Sequence, residues 1–190
     1  MTGKKAVFLD RDGTINIDTG YVGNAENFVF IDGAVEAIHL LNQNGFLVIV
    51  ITNQSGVGRG YFTERDVNNL HHFINLELAK KNAKIDAFYY CPHHPVEAKG
   101  LYKIECNCRK PKTGLFEKAM LEFNIDAKSS YIVGDNITDI EAGVRLNMST
   151  IFIGRHKPGR ENFSAADNLL DAVHLILSED KPETKQSCSP

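Results

Sequence analysis

The chain has 190 residues, 43% hydrophobic and 24% charged, the balance of a soluble globular protein with enough material for one well-developed core. A net charge of −3 argues against a protein held on nucleic acid by general basicity. No segment reaches the ~18 unbroken apolar residues of a membrane helix, and Met1–Lys5 leads straight into an apolar strand without the features of a secretory signal. A cytoplasmic protein with neither a membrane nor a nucleic-acid partner is expected.

Taken in chain order, apolar runs alternate with amphipathic stretches. Ala6–Leu9 is a short buried strand that ends in acid. Residues 34–41 have helical spacing, with Val35, Ile38 and Leu41 on one side and Gly45 as a stop. Residues 46–51 are nearly all apolar and rich in β-branched side chains, as in a strand buried on both faces. Thr63, with Asp66 three residues on, is a helix N-cap, and that helix runs to about Lys81. Residues 87–90, 131–133 and 150–153 read as strands; 114–123, 140–146 and 169–177 read as helices. Repeated β-α units predict an α/β fold, a mostly parallel sheet with helices on both faces. Residues 1–178 are expected to form one domain. The polar segment 179–190, with two prolines, is expected to be a disordered tail that contains Cys188.

In open parallel sheets, ligands bind beyond the carboxyl ends of the strands. Asp10 and Asp12 follow the first strand there, and side chains two apart in extended chain point to the same side. Two such carboxylates are costly to keep ionised without a cation, and Mg²⁺, which prefers oxygen ligands, is the natural neutraliser. Gly13 and Thr14 allow a sharp turn behind them. Thr52, Asn53, Gln54 and Ser55 follow the second strand and offer a hydroxyl and backbone N–H groups to phosphate oxygens. Lys110, between Arg109 and Pro111, is read as a lysine fixed at a helix start, an end that favours anions. Asp135, after the fourth strand, can complete a magnesium site with Asp10. Asp139 is either a plain helix cap or a group that fixes the metal shell.

Cys91-Pro92-His93 and Cys106-Asn107-Cys108 bring three thiols and an imidazole into one short loop, residues 91–108. Three thiolates and one imidazole make a closed tetrahedral zinc set, with no position open to water, so the ion is expected to be structural. His94 is adjacent to His93, and spacing alone does not separate them.

The order and types of these residues, from about Val7 to Ile153, resemble the haloacid dehalogenase (HAD) superfamily of phosphatases. The resemblance implies a Rossmann-like core and a two-step reaction. Asp10 would be the nucleophile that carries the phosphoryl group. Asp12 would be the acid/base, and Thr52 and Lys110 would hold the transferring oxygens. Mg²⁺ would be bound by Asp10, Asp135 and the Asp12 main-chain carbonyl. The family pattern favours His93 as the zinc ligand.

Only 41 residues lie between Asp10 and Thr52, which leaves no room for a cap domain. The chain is similar to capless, zinc-loop members of the superfamily at residues 10–16, 20–22, 52–56, 59–60 and 108–111, and this points to a small sugar bisphosphate as substrate. A bisphosphate needs a second anion site, which Arg109 and Arg59 are placed to offer. By the same resemblance, Asp18, Thr19, Gly20 and Tyr21 would line the sugar. Asn136 stands where relatives often carry lysine, which puts a direct charge contact there in doubt. Histidinol-phosphate phosphatases share the acidic pair and the zinc loop and are the nearest rival. A phosphoacceptor signalling domain and a non-catalytic zinc module are readings of other classes. With no long exposed apolar or heptad segment, a monomer is expected.

Overall fold

The computed structural model describes residues 3–154 and 163–180. Six parallel strands form one sheet in the order β3-β2-β1-β4-β5-β6. They are β1 (Ala6–Leu9), β2 (Leu47–Asn53), β3 (Ala87–Cys91), β4 (Tyr131–Gly134), β5 (Ser149–Ile153) and β6 (Ser164–Ala166). The connecting helices are α1 (Ala34–Gln43), α2 (Ser55–Arg59), α3 (Glu64–Ala79), α4 (Gly114–Phe123), α5 (Ile137–Arg145) and α6 (Leu169–Glu179).

Alternation along β1 builds two cores. Val7 and Leu9 face a layer containing Ile38 and Leu41 of α1, Leu70 and Ile74 of α3, and Val173 and Ile176 of α6. Ala6 and Phe8 face the other layer, with Phe116 of α4 and Ala142 of α5. All four β1 side chains are buried, which explains why the strand shows no polar alternation in sequence. The predicted α/β architecture with helices on both faces is the one observed.

The capping prediction at α3 is met on both sides. The Thr63 hydroxyl accepts from the Asp66 amide, and the Asp66 carboxylate accepts from the Thr63 amide. Other boundaries differ. β2 extends through Thr52 and Asn53, which pair with Tyr90 and Cys91 of β3; both residues were expected just past the strand. α5 starts three residues earlier than its apolar spacing indicates, because Asn136 caps it and Asp139 closes a capping box. α6 continues to Glu179, so the expected tail does not begin at residue 179; residues 181–190 lie outside the described residues, as does His156. No described helix is long and apolar enough to cross a membrane.

β1 is the central pivot. It pairs with β2 on one side and β4 on the other, so the chain leaves it in opposite directions and opens a crevice at its carboxyl end. Asp10, Thr52 and Asp135 therefore come from three neighbouring strands and reach one place.

Candidate active site

Asp10, Asp135 and Asp139 place carboxylate oxygens within 4.8 Å of one another. Lys110, 3% exposed, reaches into this group. Its Nζ lies 2.9 Å from Asp10 Oδ1 and 2.6 Å from Asp139 Oδ1 and donates to the Ile51 carbonyl at 2.7 Å. An ammonium has three donors, and all three are engaged. Burial alone would weaken the Lys110 ammonium, but Asp10 and Asp139 outweigh it and hold its pKa above the ordinary lysine value. Burial pushes Asp139 upward while Lys110 pulls it back.

Asp135 is pushed up to about 6, first by burial and then by the charge of Asp10. Three carboxylates share one lysine, so the cluster carries an excess of negative charge on hard oxygen donors. That donor set fits Mg²⁺. Both Asp139 oxygens are engaged, Oδ1 by Lys110 and Oδ2 by the Asn136 amide, whereas the contacts to Asp10, from Lys110 and the Arg11 amide, fall on Oδ1. Gly13 is needed beside them: its φ is +80°, and a Cβ there would fall 2.0 Å from Asp135 Oδ2.

The Asp12 carboxylate lies outside this cluster. Gln54 Nε2 donates to its Oδ2 at 2.8 Å and also to Thr52 Oγ1 at 2.9 Å. Asn16 and the guanidinium of Arg11 donate to Asp12 as well. Arg11 is fully buried; it also donates to the Val22 carbonyl at 2.6 Å and lies 3.4 Å from His71 Nε2. His71 stacks on Phe88, and burial, with the charge of Arg11, lowers its pKa to about 3. It is thus a neutral acceptor under the acidic loop.

Lys110 is not at a helix start. α4 begins only at Gly114. The Asn53 side chain fixes the backbone of Lys110 instead, accepting from its amide at 3.1 Å and donating to its carbonyl at 3.3 Å. Asn53 and Gln54, expected as phosphate contacts, thus serve first to hold Lys110 and Asp12 in place.

A cleft of about 670 Å³ opens over these groups, lined by Asp10, Asp12, Thr52, Lys110 and Arg109 and, on the facing side, Asp18, Gly20 and Tyr21. Gln54, Ser55 and Asn136 also line it. Thr19 and Arg59 do not. Arg59 is ion-paired with Glu97 and lies over the Tyr21 ring, so the sequence-based reading of it as a second anion site is not what its contacts favour.

Beside the cleft, Cys91, His93, Cys106 and Cys108 converge, with ligand atoms all within 4.8 Å. His93 Nδ1 is 3.2 Å from Cys108 Sγ, and Cys91 Sγ is 3.6 Å from Cys106 Sγ. Such separations match the edges of a tetrahedron about a zinc ion with Zn–S bonds of about 2.3 Å. His94 is excluded from this set; its Nδ1 accepts from the amides of Val96 and Glu97. Arg109 Nη1 donates to the His93 carbonyl at 3.2 Å, which ties the cysteine loop to the cleft.

A family model described as HAD-hydrolase-like matches residues 107–174. The curated D-glycero-beta-D-manno-heptose-1,7-bisphosphate 7-phosphatase of Haemophilus influenzae is 43% identical over 171 residues, 89% of this chain and 92% of that protein. The Escherichia coli K12 protein of the same name is 42% identical over 93% of this chain and 96% of its own length. The chain belongs to this phosphatase family. Among solved structures, a putative HAD-like phosphatase from Mesorhizobium loti superposes with a TM-score of 0.85 at 29% identity, over 96% of this chain and 90% of that one. A D,D-heptose 1,7-bisphosphate phosphatase from B. bronchiseptica, complexed with magnesium and phosphate, gives 0.82 at 27% identity, over 92% of this chain and 99% of that one.

Asp139, which the sequence offers as a helix cap or a group that fixes the metal shell, closes the α5 capping box and is the buried partner of Lys110. His71 carried no sequence signal, since its partner, Arg11, is 60 residues away.

Proposed function

We infer that the chain is a magnesium-dependent phosphatase that removes the 7-phosphate of D-glycero-β-D-manno-heptose 1,7-bisphosphate, a step in nucleotide-heptose synthesis for lipopolysaccharide. We assign it to the cytoplasm as a monomer. The observation that carries the chemistry is the division of labour between two carboxylates. Asp10 lies against Lys110, whereas Asp12 is held apart by Gln54, Asn16 and Arg11.

Asp10 attacks phosphorus, forming an acyl-phosphate bond as the phosphorus–oxygen bond to the sugar breaks. Asp12 gives its proton to the departing oxygen. It then takes a proton from the water that attacks phosphorus, which releases phosphate and restores Asp10. Lys110 and Thr52 stabilise charge on the transferring oxygens. Asp10, Asp135 and the Asp12 main-chain carbonyl would hold Mg²⁺, which would supply further positive charge to the site. Zn²⁺ on Cys91, His93, Cys106 and Cys108 holds the loop that presents Arg109 and Lys110. Arg109 is the partner for the second phosphate, a role its planar guanidinium suits. Asp18, Gly20 and Tyr21 line the sugar, with Ser55 and Asn136 also in the cleft.

Phosphate release from the β and α heptose bisphosphates and from histidinol phosphate, with and without Mg²⁺, tests this assignment. The β anomer is expected to have the highest kcat/KM, with turnover lost without Mg²⁺. Preference for histidinol phosphate would overturn the substrate.

A further inference from the structure

The wall of the cleft that faces the catalytic carboxylates is the segment 18–22, and its two ends are held differently. The inner end is fastened to the core: Arg11 donates to the Val22 carbonyl at 2.6 Å. Gly23 and Gly56 both lie so close to the Phe62 ring that a Cβ on either would fall within 2.4 Å of it. The outer end has no such anchor. Gly20 and Tyr21 both have left-handed backbone, φ +81° and +57°, a conformation that a tyrosine adopts only when something fixes it. Its ring, 47% exposed, meets Tyr61 edge-on at 4.8 Å. The Arg59 guanidinium lies 5.3 Å from the ring centroid.

Arg59 is in turn held by Glu97, which sits just beyond zinc ligand His93. Glu97 is fixed from its own side: its amide donates to His94 Nδ1 at 3.0 Å, and its carboxylate lies 3.3 Å from His94 Nε2. A main-chain bond, Lys99 amide to Gly58 carbonyl at 2.7 Å, ties the same stretch of loop to α2.

We propose that Glu97, Arg59 and Tyr61 are positioning residues that hold Tyr21 over the cleft, so that the zinc loop sets the shape of the substrate-binding wall. None of the three lines the cleft. They act through Tyr21, and their effect falls on the part of the substrate that touches segment 18–21, not on phosphoryl transfer. The kinetic part of this proposal rests on the sugar-bisphosphate reading; the ordering of Tyr21 does not.

Glu97→Gln tests it in the zinc- and magnesium-loaded enzyme. An exposed ion pair and a cation–π contact are weak individually, so the expected change is about three- to tenfold. KM for the heptose bisphosphate should rise by that factor, with kcat within about twofold and the kinetics of p-nitrophenyl phosphate, which has no sugar to place, unchanged. Glu97→Asp should restore much of the difference, and Tyr61→Leu should reproduce the split. Amide exchange at Gly20–Val22 should accelerate in Glu97→Gln. If Arg59 instead binds the second phosphate, releasing it from Glu97 would lower KM, and that result overturns the proposal. Unchanged exchange at Gly20–Val22 overturns it as well. Should the wild type fail to hydrolyse the bisphosphate while exchange still accelerates, the substrate assignment falls and the positioning role stands.

Discussion

Lys110 is the residue on which most of the site's electrostatics converge. Its three short contacts, to Asp10, Asp139 and the Ile51 carbonyl, match the three donors of an ammonium, which a planar guanidinium does not reproduce. Lys110→Met should lower kcat by about 10²–10³-fold, the usual cost of one preorganised donor, and Lys110→Arg should not rescue it. Steady-state kinetics on the bisphosphate reads both. His71 offers a test of stability. Its pKa falls from 6.5 to about 3 in the fold, through burial and then Arg11. Between those values the unfolded chain binds a proton that the folded chain does not, so stability rises with pH and is lost as pH falls below 6.5. Comparing urea unfolding at about pH 6 and about pH 5, the wild type should lose about 1 kcal/mol more than His71→Gln. Equal losses would mean that His71 is protonated in place.

At the scale of elements, the cysteine loop connects a metal to the two cations of the cleft. Arg109 donates to the carbonyl of His93, one of the four proposed zinc ligands, and Lys110 follows it directly. Metal binding to such a loop is folding free energy. Chelation of zinc should therefore lower Tm by at least about 5 °C, corresponding to about 2 kcal/mol at this chain length, and should raise KM. Unchanged melting in a metal-stripped sample would contradict this. The loop was legible in sequence because cysteine and histidine at short spacing have few other uses. Strands β1 to β5 were legible because they are continuous apolar runs. The short α2 was not: Ser-Gly-Val-Gly-Arg carries two glycines, poor helix formers, and it stands because Phe62 packs at Gly56, and Pro92, Ala98 and Tyr102 of the zinc loop pack at Gly58. The three-residue β6 is too short for any period. The start of α5 was missed because Asn136 and Asp139 shape it by capping, a signal that apolar spacing does not register. The ion pair of Arg59 with Glu97 was not legible for a related reason: the two residues are 38 apart in sequence.

For the molecule as a whole, the sheet order does the gathering. Neighbouring strands β2, β1 and β4 deliver Thr52, Asp10 and Asp135 to one crevice, and two short segments line it, one through Asp18, Gly20 and Tyr21 and the other through Arg109, Lys110 and Pro111, which follow the cysteine loop. The proposed catalysis depends on Asp10 being the nucleophile that accepts the phosphoryl group. Rapid acid quench during turnover of the bisphosphate, followed by mass spectrometry of the peptide containing residues 6–16, measures this directly. A phosphoryl group on Asp10 should form and decay at rates consistent with kcat, and both it and turnover should be absent in Asp10→Asn. Turnover that persists in Asp10→Asn, or a phosphoryl group found on another residue of the peptide, would contradict it.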